Sequence, residues 1–362
     1  MKYYKITPLL LVFALLFSLA ACKPAADTPT DEPTEEVTAT VPPTEEPSDE
    51  PVVTPDCMEP YYRPVQVAVL SGPTGVGAAK LLDSVDNDPA SLHISYECTI
   101  FTDNSELVAG LNTGEIDIAT MASNVAVNLY NKTDGGVKII AGGTLGVLHI
   151  LEGSGGNSIH GLEDLRGKTI WSAGQGANPE YILRHLLQES GLKVGVDVEI
   201  EFADASEISA KLLSGDIECA MLPVPAATAA IVKGNGQVRA AIDVTEAWNE
   251  LRSGSQLIMT AVVARTEFVE SYPELVDAFL ADYEESINYV NNNLDAAAEL
   301  VAGYGITPSP AIAKQAIPQC HLAFLSGNEM LSALSSYFLT LYSIDHDSVG
   351  GSLPDDGIYY IP

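Results

Sequence analysis

Residues 101–122 read FTDNSELVAGLNTGEIDIATMA, and residues 202–223 read FADASEISAKLLSGDIECAMLP. Phe101, Asp103, Ser105, Glu106, Leu111, Gly114, Ile116 and Ala119 reappear 101 residues later as Phe202, Asp204, Ser206, Glu207, Leu212, Gly215, Ile217 and Ala220. Upstream, Ser71 and Gly75 match Ser172 and Gly176 at the same offset, and no gap is needed between. A period this long is domain-sized, far beyond the 20–50 residues of a solenoid repeat. It predicts two similar lobes, and a cleft between lobes is a common place for a small ligand.

Around the quoted stretch, each copy reads as alternating strands and helices. In the first, residues 65–70 form a β-branched strand, 71–77 a glycine turn, and Ala78, Leu81, Leu82 and Val85 recur at helical spacing. Strands follow at 93–101, 115–120 and 137–141, with helices at 105–111 and 126–130 between them. In the second copy, strands are expected at 168–171, 198–202 and 217–222. Residues 173–179 form the turn, and Pro179 suits the first turn of a helix. Ser206 is expected to cap the next helix. This alternation argues for an α/β fold with mainly parallel sheets. Residues 146–152 and 256–263 read as buried strands placed where the chain crosses between lobes, so they are the hinge candidates. The tail after residue 267 is mostly helical, with Val269, Leu275, Phe279 and Tyr283 on one apolar face. It has no counterpart in the repeat and is expected to pack on the first lobe. The expected organisation is therefore 63–148 with 262–362 as one lobe and 149–261 as the other.

Ahead of the lobes the composition changes twice. Lys2 and Lys5 precede an apolar run at 9–19, too short for a comfortable membrane span. The run ends Leu19-Ala20-Ala21-Cys22, which resembles the bacterial lipobox, so residues 1–21 are expected to be a lipoprotein signal peptide and Cys22 the lipidated residue. Residues 22–62 are crowded with Pro, Thr, Glu and Asp and cannot bury enough surface to fold. As a flexible tether they would span roughly 35 Å between ends, more with charge and proline.

The net charge of −32 excludes electrostatic binding of nucleic acid. Lys23 against eleven acids gives the tether −10, and most of the remainder sits on the folded body, as on a well-solvated extracellular surface. Beyond Cys22, the cysteines at 57, 98, 219 and 320 have no metal-site spacing. Cys98 and Cys219 read as buried thiols, while Cys57 and Cys320 are a pair that an oxidising compartment could bridge.

Ligands of open α/β sheets lie beyond the carboxyl ends of the strands. That rule places Thr74, Ser123, Asn124, Thr144, Gln175, Asn178 and the Pro223-Val224-Pro225 turn around one cavity. The two glycine turns lack both the GxGxxG order and a Walker lysine. They read instead as helix N-termini facing the cleft, which can hold polar groups or an anion. Nucleophile-elbow and zinc-protease motifs are missing. His149 reads as a satisfied structural histidine. The acidic pairs Glu115/Asp117 and Asp216/Glu218 read as solvated or capping. Trp171 reads equally as core or as a stacking surface.

The segments LSGPTGVGAAKLL, GEIDIATMASNVAVNLYNKT, GTLGVLHILEG, LRGKTIWSAGQGANPEYIL, AMLPVPAATAA and SVGGSLPDDGIYY together resemble the solute-binding lipoproteins of ABC importers. The nearest group comprises nitrate, sulfonate, taurine and thiamine-precursor binders. The resemblance implies the type II periplasmic-binding-protein fold. It also implies a ligand held by Pro73-Thr74-Gly75, Ser123-Asn124, Gly174-Gln175-Gly176 and Pro223-Val224-Pro225. Relatives often carry glutamine and tyrosine where this chain has Val224 and Ala226. The implied role is capture of a small molecule by a monomeric, lipid-anchored extracytoplasmic receptor and its delivery to an ABC permease, without catalysis, cofactor or metal. The loops contain no Lys, Arg or His, which favours a vitamin or pyrimidine-like precursor over nitrate, taurine or a sulfonate. Two other classes compete: an enzyme on the same fold, as in the menaquinone pathway, and an adhesin or envelope sensor. The lipobox and the lack of an acid–base pair count against the enzyme, and the duplicated loops count against the sensor.

Overall fold

The computed structural model describes residues 63–251 and 255–362. The expected leader, the Cys22 anchor, the tether and Cys57 lie outside the described residues.

The first copy runs β1 (Val65–Leu70), α1 (Pro73–Asn87), β2 (Tyr96–Phe101), α2 (Asn104–Thr113), β3 (Ile118–Ala122), α3 (Ser123–Lys132) and β4 (Val137–Thr144). The strand β5 (Leu148–Glu152) follows. The second copy runs β6 (Thr169–Ser172), α4 (Asn178–Glu189), β7 (Glu199–Phe202), α5 (Ala205–Ser214), β8 (Cys219–Pro223), α6 (Ala226–Gly234) and β9 (Arg239–Asp243), then α7 (Val244–Glu250). After β10 (Thr260–Arg265) come α8 (Thr266–Ser271), α9 (Pro273–Asn292), α10 (Leu294–Gly303), α11 (Pro310–Ala316), β11 (Leu322–Leu325) and α12 (Gly327–Ile344). Shifted by the repeat offset, α2 falls on α5 and β3 on β8 residue for residue. The reason is local. Both helices start at an aspartate, Asp103 or Asp204, and both stop at a glycine in the left-handed region, Gly114 at φ 76° and Gly215 at φ 81°.

The strands form a six-stranded sheet in the order β11-β4-β10-β3-β1-β2 and a five-stranded sheet in the order β7-β6-β8-β5-β9. Each sheet has a three-strand parallel core, β2-β1-β3 or β7-β6-β8. The remaining pairs are antiparallel, so the sheets are mixed rather than parallel throughout. Apart from β11, which adds antiparallel to β4 at the edge of the first sheet, the cause is the two crossing strands. β10 enters the first sheet between β3 and β4, and β5 enters the second between β8 and β9. Each arrives from the opposite half of the chain, running against its neighbours. The expected strand at 256–263 begins only at Thr260, because residues up to Met259 belong to the crossing itself.

Side-chain alternation sets the layers. On β1, Val65, Val67 and Val69 face α1 and α9, while Ala68 faces the opposite core. On β8, Cys219 and Met221 point to one face, and Ala220 and Leu222 join Ile208, Leu212 and Ala227 on the other. In the tail, Val269, Phe279 and Tyr283 are buried on the first sheet, with Leu275 packed beside them. The acids expected to be solvated or capping separate here. Asp117 is fully buried, bonded to Arg63 at 2.9 Å, Arg265 at 2.8 Å and the Gln66 amide at 3.0 Å, whereas its repeat partner Glu218 is exposed.

Three other local expectations shift. The glycine turn at 71–77 is shorter, because α1 already starts at Pro73, whose ring suits a first helical turn. Ser206 lies inside α5, whose N-cap position is Asp204. Cys320 is a free, fully buried thiol, and burial pushes its ionisation up to about 12.

Candidate functional site

Asn178, the first residue of α4, sits at the centre of a buried polar contact between the two halves of the molecule. Its backbone N–H donates to Asn124 Oδ1 at 2.9 Å. Its Nδ2 donates to Ser123 Oγ at 3.0 Å and to the Met259 carbonyl at 2.8 Å. Its Oδ1 accepts from Tyr337 Oη of α12 at 3.2 Å. Asn124 Nδ2 reaches back to the Gly176 carbonyl at 3.2 Å. Ser123 Oγ donates to the Ile258 carbonyl at 2.5 Å, and its N–H to Met259 at 3.1 Å. Ser123, Asn124, Thr144 and Asn178 are all fully or almost fully buried. Buried polar groups must find partners, and here they find each other across the halves.

Thr144 joins through the crossing strand. Its carbonyl accepts from Met259 N at 2.9 Å, and its hydroxyl shares a short hydrogen bond with Thr260 Oγ1. Ser123 and Asn124 form the first turn of α3 rather than a loop after β3. The asparagines of that helix also hold the C-terminal segment. Asn128 Nδ2 donates to Ser348 O at 3.0 Å, and Asn131 Nδ2 donates to Val349 O at 2.7 Å and Ser352 O at 2.8 Å.

Of the other expected residues, Gly75 and Val224 meet one apolar cluster. Pro73, Thr74 and Gly75 lie in the first turn of α1. Thr74 is buried and its hydroxyl donates to the Leu70 carbonyl. Gly75 packs under Ile306, whose Cδ1 would be 3.2 Å from a Cβ there. Pro223 ends β8 opposite Leu148, and Val224 N donates to Val147 O at 2.9 Å. The Val224 side chain is fully buried in a cluster with Val76, Ala79, Ala313 and Cys320. Burying it contributes about 1.5–2 kcal/mol of contact between the halves. Gln175 and Gly176 are exposed at the turn before α4. The expected residues therefore divide: Ser123, Asn124, Thr144, Gly176 and Asn178 meet in one network, Gly75 and Val224 lie at an apolar contact, Thr74 is bonded within its own turn to Leu70, and Gln175 stands apart.

The two turns also differ electrostatically. At α4 the Gly176 N–H donates to Glu180 Oε2 at 2.8 Å, and Asn178 N is taken by Asn124. Glu180 is in turn held by Arg184 at 2.8 Å. The α4 N-terminus thus carries its own carboxylate and presents no free cradle for an anion. No side chain caps α1.

Trp171 faces Leu151, Ile208 and their neighbours, with the Lys211 ammonium 3.9 Å above its ring, so it serves the core of the second sheet. His149 is not a satisfied histidine. Its buried Nδ1 has no hydrogen-bond partner among the described residues and lies 4.0 Å from Asp243 Oδ2, and burial lowers its pKa. Among the described residues no group of His, Cys, Asp and Glu could hold a metal ion, and no helix is long and apolar enough to cross a membrane. Residues missed by sequence reasoning are Glu180, Met259, Thr260 and Tyr337. Glu180 did carry a signal, an acid at the third helical position. Tyr337 carried none, since it lies in the unrepeated tail.

Residues 155–303 match the NMT1-like family. No curated protein matches the chain by sequence. Among solved structures, an ABC transporter protein from Parabacteroides distasonis is similar at 23% identity and a TM-score of 0.67, covering 82% of this chain and 98% of that one. The periplasmic aliphatic sulphonate binding protein of Escherichia coli is similar at 15% identity and a TM-score of 0.65, covering 82% and 92%. A Candida albicans protein described as having the generic periplasmic binding protein fold is similar at 14% identity and a TM-score of 0.56, covering 82% and 93%. Two duplicated lobes joined by crossing strands, with these likenesses, give the chain the periplasmic-binding-protein fold, and its residues 155–303 match the NMT1-like family.

Proposed function

We propose that this protein is an extracytoplasmic solute-binding lipoprotein, anchored through Cys22, that captures a small neutral or cationic heterocycle between its lobes and delivers it to an ABC permease. The lobes are taken as residues 63–148 with 262–362 and residues 149–261, acting as a monomer. The fold supports the role, since proteins of this shape include ligand-binding components of ABC-type importers. The lipobox and the acidic tether support the location. The observation that carries the ligand class is the α4 N-terminus, where Glu180 already occupies the Gly176 N–H. A free anion would have to displace a bound carboxylate in a body that is itself strongly negative.

Capture requires a solute that binds the closed form better than the open one. The Asn178 network and the Val224 contact stabilise closure from both halves, and the solute adds to them. Calorimetric titration tests the reading. Thiamine, riboflavin and their pyrimidine precursors form one panel; nitrate, taurine and methanesulfonate form the other. Binding within the first panel is expected. Tight binding confined to the anions would replace the ligand class with a sulfonate-type solute, as in the similar Escherichia coli sulphonate binding protein.

A further inference from the structure

Among the described residues four tyrosines are buried: Tyr96, Tyr283, Tyr337 and Tyr359. Tyr96 donates to Asp282 at 2.6 Å, Tyr337 to Asn178 at 3.2 Å, and Tyr359 Oη accepts from Ser335 at 3.0 Å. Tyr283 is the exception. Its ring is stacked on Phe279 with centroids 5.6 Å apart and meets Phe324 edge-on, and the residue is 1% exposed. Yet Oη forms no hydrogen bond with any described residue. The fully buried side-chain atoms without a partner among the described residues are His149 Nδ1, Thr228 Oγ1 and Ser255 Oγ; Oη is not one of them, so it keeps accessible surface and is open to a partner.

The hydroxyl faces the backbone at Gly143, which carries no side chain. A Cβ on Gly143 would find only two heavy atoms within 4 Å outside its chain neighbours, and both are hydroxyl oxygens: Thr260 Oγ1 at 3.1 Å and Tyr283 Oη at 3.4 Å. From the α1 side, a Cβ on Gly77 would lie 3.7 Å from the same Oη. Thr260 Oγ1 is bonded to Thr144 Oγ1. Gly143 is the penultimate residue of β4 and Thr260 the first of β10, one residue from Met259, which bonds Asn178. The space therefore adjoins the contact between the halves.

We propose that Tyr283 Oη, Thr260 Oγ1 and Thr144 Oγ1 form a hydroxyl seat for an uncharged polar group of the captured solute, with Gly77 and Gly143 leaving it room. The proposal rests on the solute-capture reading and names the part of the solute recognised. Whichever threonine donates to the other, one of their hydroxyl protons stays free. Burial raises the phenol's pKa, so Tyr283 keeps its proton too. Two donors converging on one space match a carbonyl or amide oxygen, which accepts two hydrogen bonds. A charged group would meet no counter-charge in this set and would lose its hydration.

Two measurements test the seat. Riboflavin and uracil, both neutral carbonyl heterocycles, are titrated against wild type, Tyr283→Phe and Gly143→Ala. Crystals of wild type and Tyr283→Phe are soaked in acetamide. Tyr283→Phe should weaken the heterocycle that binds about tenfold, with the melting temperature unchanged because no protein bond is lost. Gly143→Ala should weaken it at least as much. Acetamide oxygen should appear between Tyr283 and Thr260 in wild type only. Unchanged affinity in Tyr283→Phe overturns the seat and leaves solute capture standing. So does a lone water there in both soaks, or a melting temperature several degrees lower in Tyr283→Phe. Failure of both heterocycles to bind wild type, with acetamide seated as described, counts against the heterocycle reading and supports the seat.

Discussion

In the first copy the residues after the third strand are Ser123 and Asn124; in the second, 101 positions later, they are Val224 and Pro225. The serine and asparagine build a buried hydrogen-bond network to the far half, while the valine inserts into an apolar cluster of the far half. The first turns diverge in the same way. Helix α1 has no side-chain cap, and α4 is closed by Glu180 and Asn124. The helices and strands that make the sheets stayed alike, because core periodicity and caps constrain them. The turns that face the other half were free to specialise, so a duplicated scaffold presents two chemically different walls.

Buried charge gives the sharpest test of this comparison. Asp117→Ala should cost about 3–5 kcal/mol, because Arg63 and Arg265 lose a fully buried partner. Its counterpart Glu218 is exposed, and Glu218→Ala should stay within about 0.5 kcal/mol. Denaturant midpoints of the two variants measure the contrast, and equal losses would break it.

Next in size is the contact between the halves. Asn178→Ala should cost about 2–3 kcal/mol by leaving the Met259 carbonyl and the Tyr337 hydroxyl short of partners. The repeat counterpart is Gly77, where an added Cβ meets nothing closer than 3.5 Å. Gly77→Ala in the helix interior should hold or raise stability by about 0.5–1 kcal/mol. Thermal melts of both would sharpen the asymmetry, and a large loss in Gly77→Ala would contradict it.

The smallest effect concerns the matched caps. Asp103 accepts from Ser105 N at 2.6 Å, whereas Asp204 makes no capping bond. Asp103→Ala should cost about 1 kcal/mol and Asp204→Ala a few tenths. Hydrogen bonding to Ser105 holds the Asp103 carboxyl below its ordinary value of 3.8. A lowered folded pKa means that its contribution is complete above that ordinary value and is lost as the pH falls through the folded one. Unfolding measured at pH 7 and again below pH 3 should therefore show the gap between the two variants close on acidification.

The constant offset made the paired elements legible, since α2 and α5 share their aspartate start and left-handed glycine stop. The rule that ligands lie beyond the carboxyl ends of strands grouped Ser123, Asn124, Gly176 and Asn178, and the structure brings these four into one hydrogen-bond network. The start of α1 was misplaced, because glycines in a first helical turn look like a loop. Pairing partners of the crossing strands were out of reach, because an apolar run such as 147–151 states that it is buried but not between which neighbours. Tyr337 was hidden for a related reason. On an apolar helix face a tyrosine looks like any other core residue until its hydroxyl is placed.

The crossing strands set an order of completion during synthesis. β5 is made before the rest of its sheet, so all five strands of the second sheet lie within one continuous stretch, from Leu148 to Asp243. The first sheet is different: β3 and β4 flank a place that only β10 fills, and Thr260 lies 116 residues after Thr144. A chain emerging from its N-terminus must hold β1 to β4 with that central place empty while the whole second sheet is made. The half of the molecule that is synthesised first is the half that is finished last.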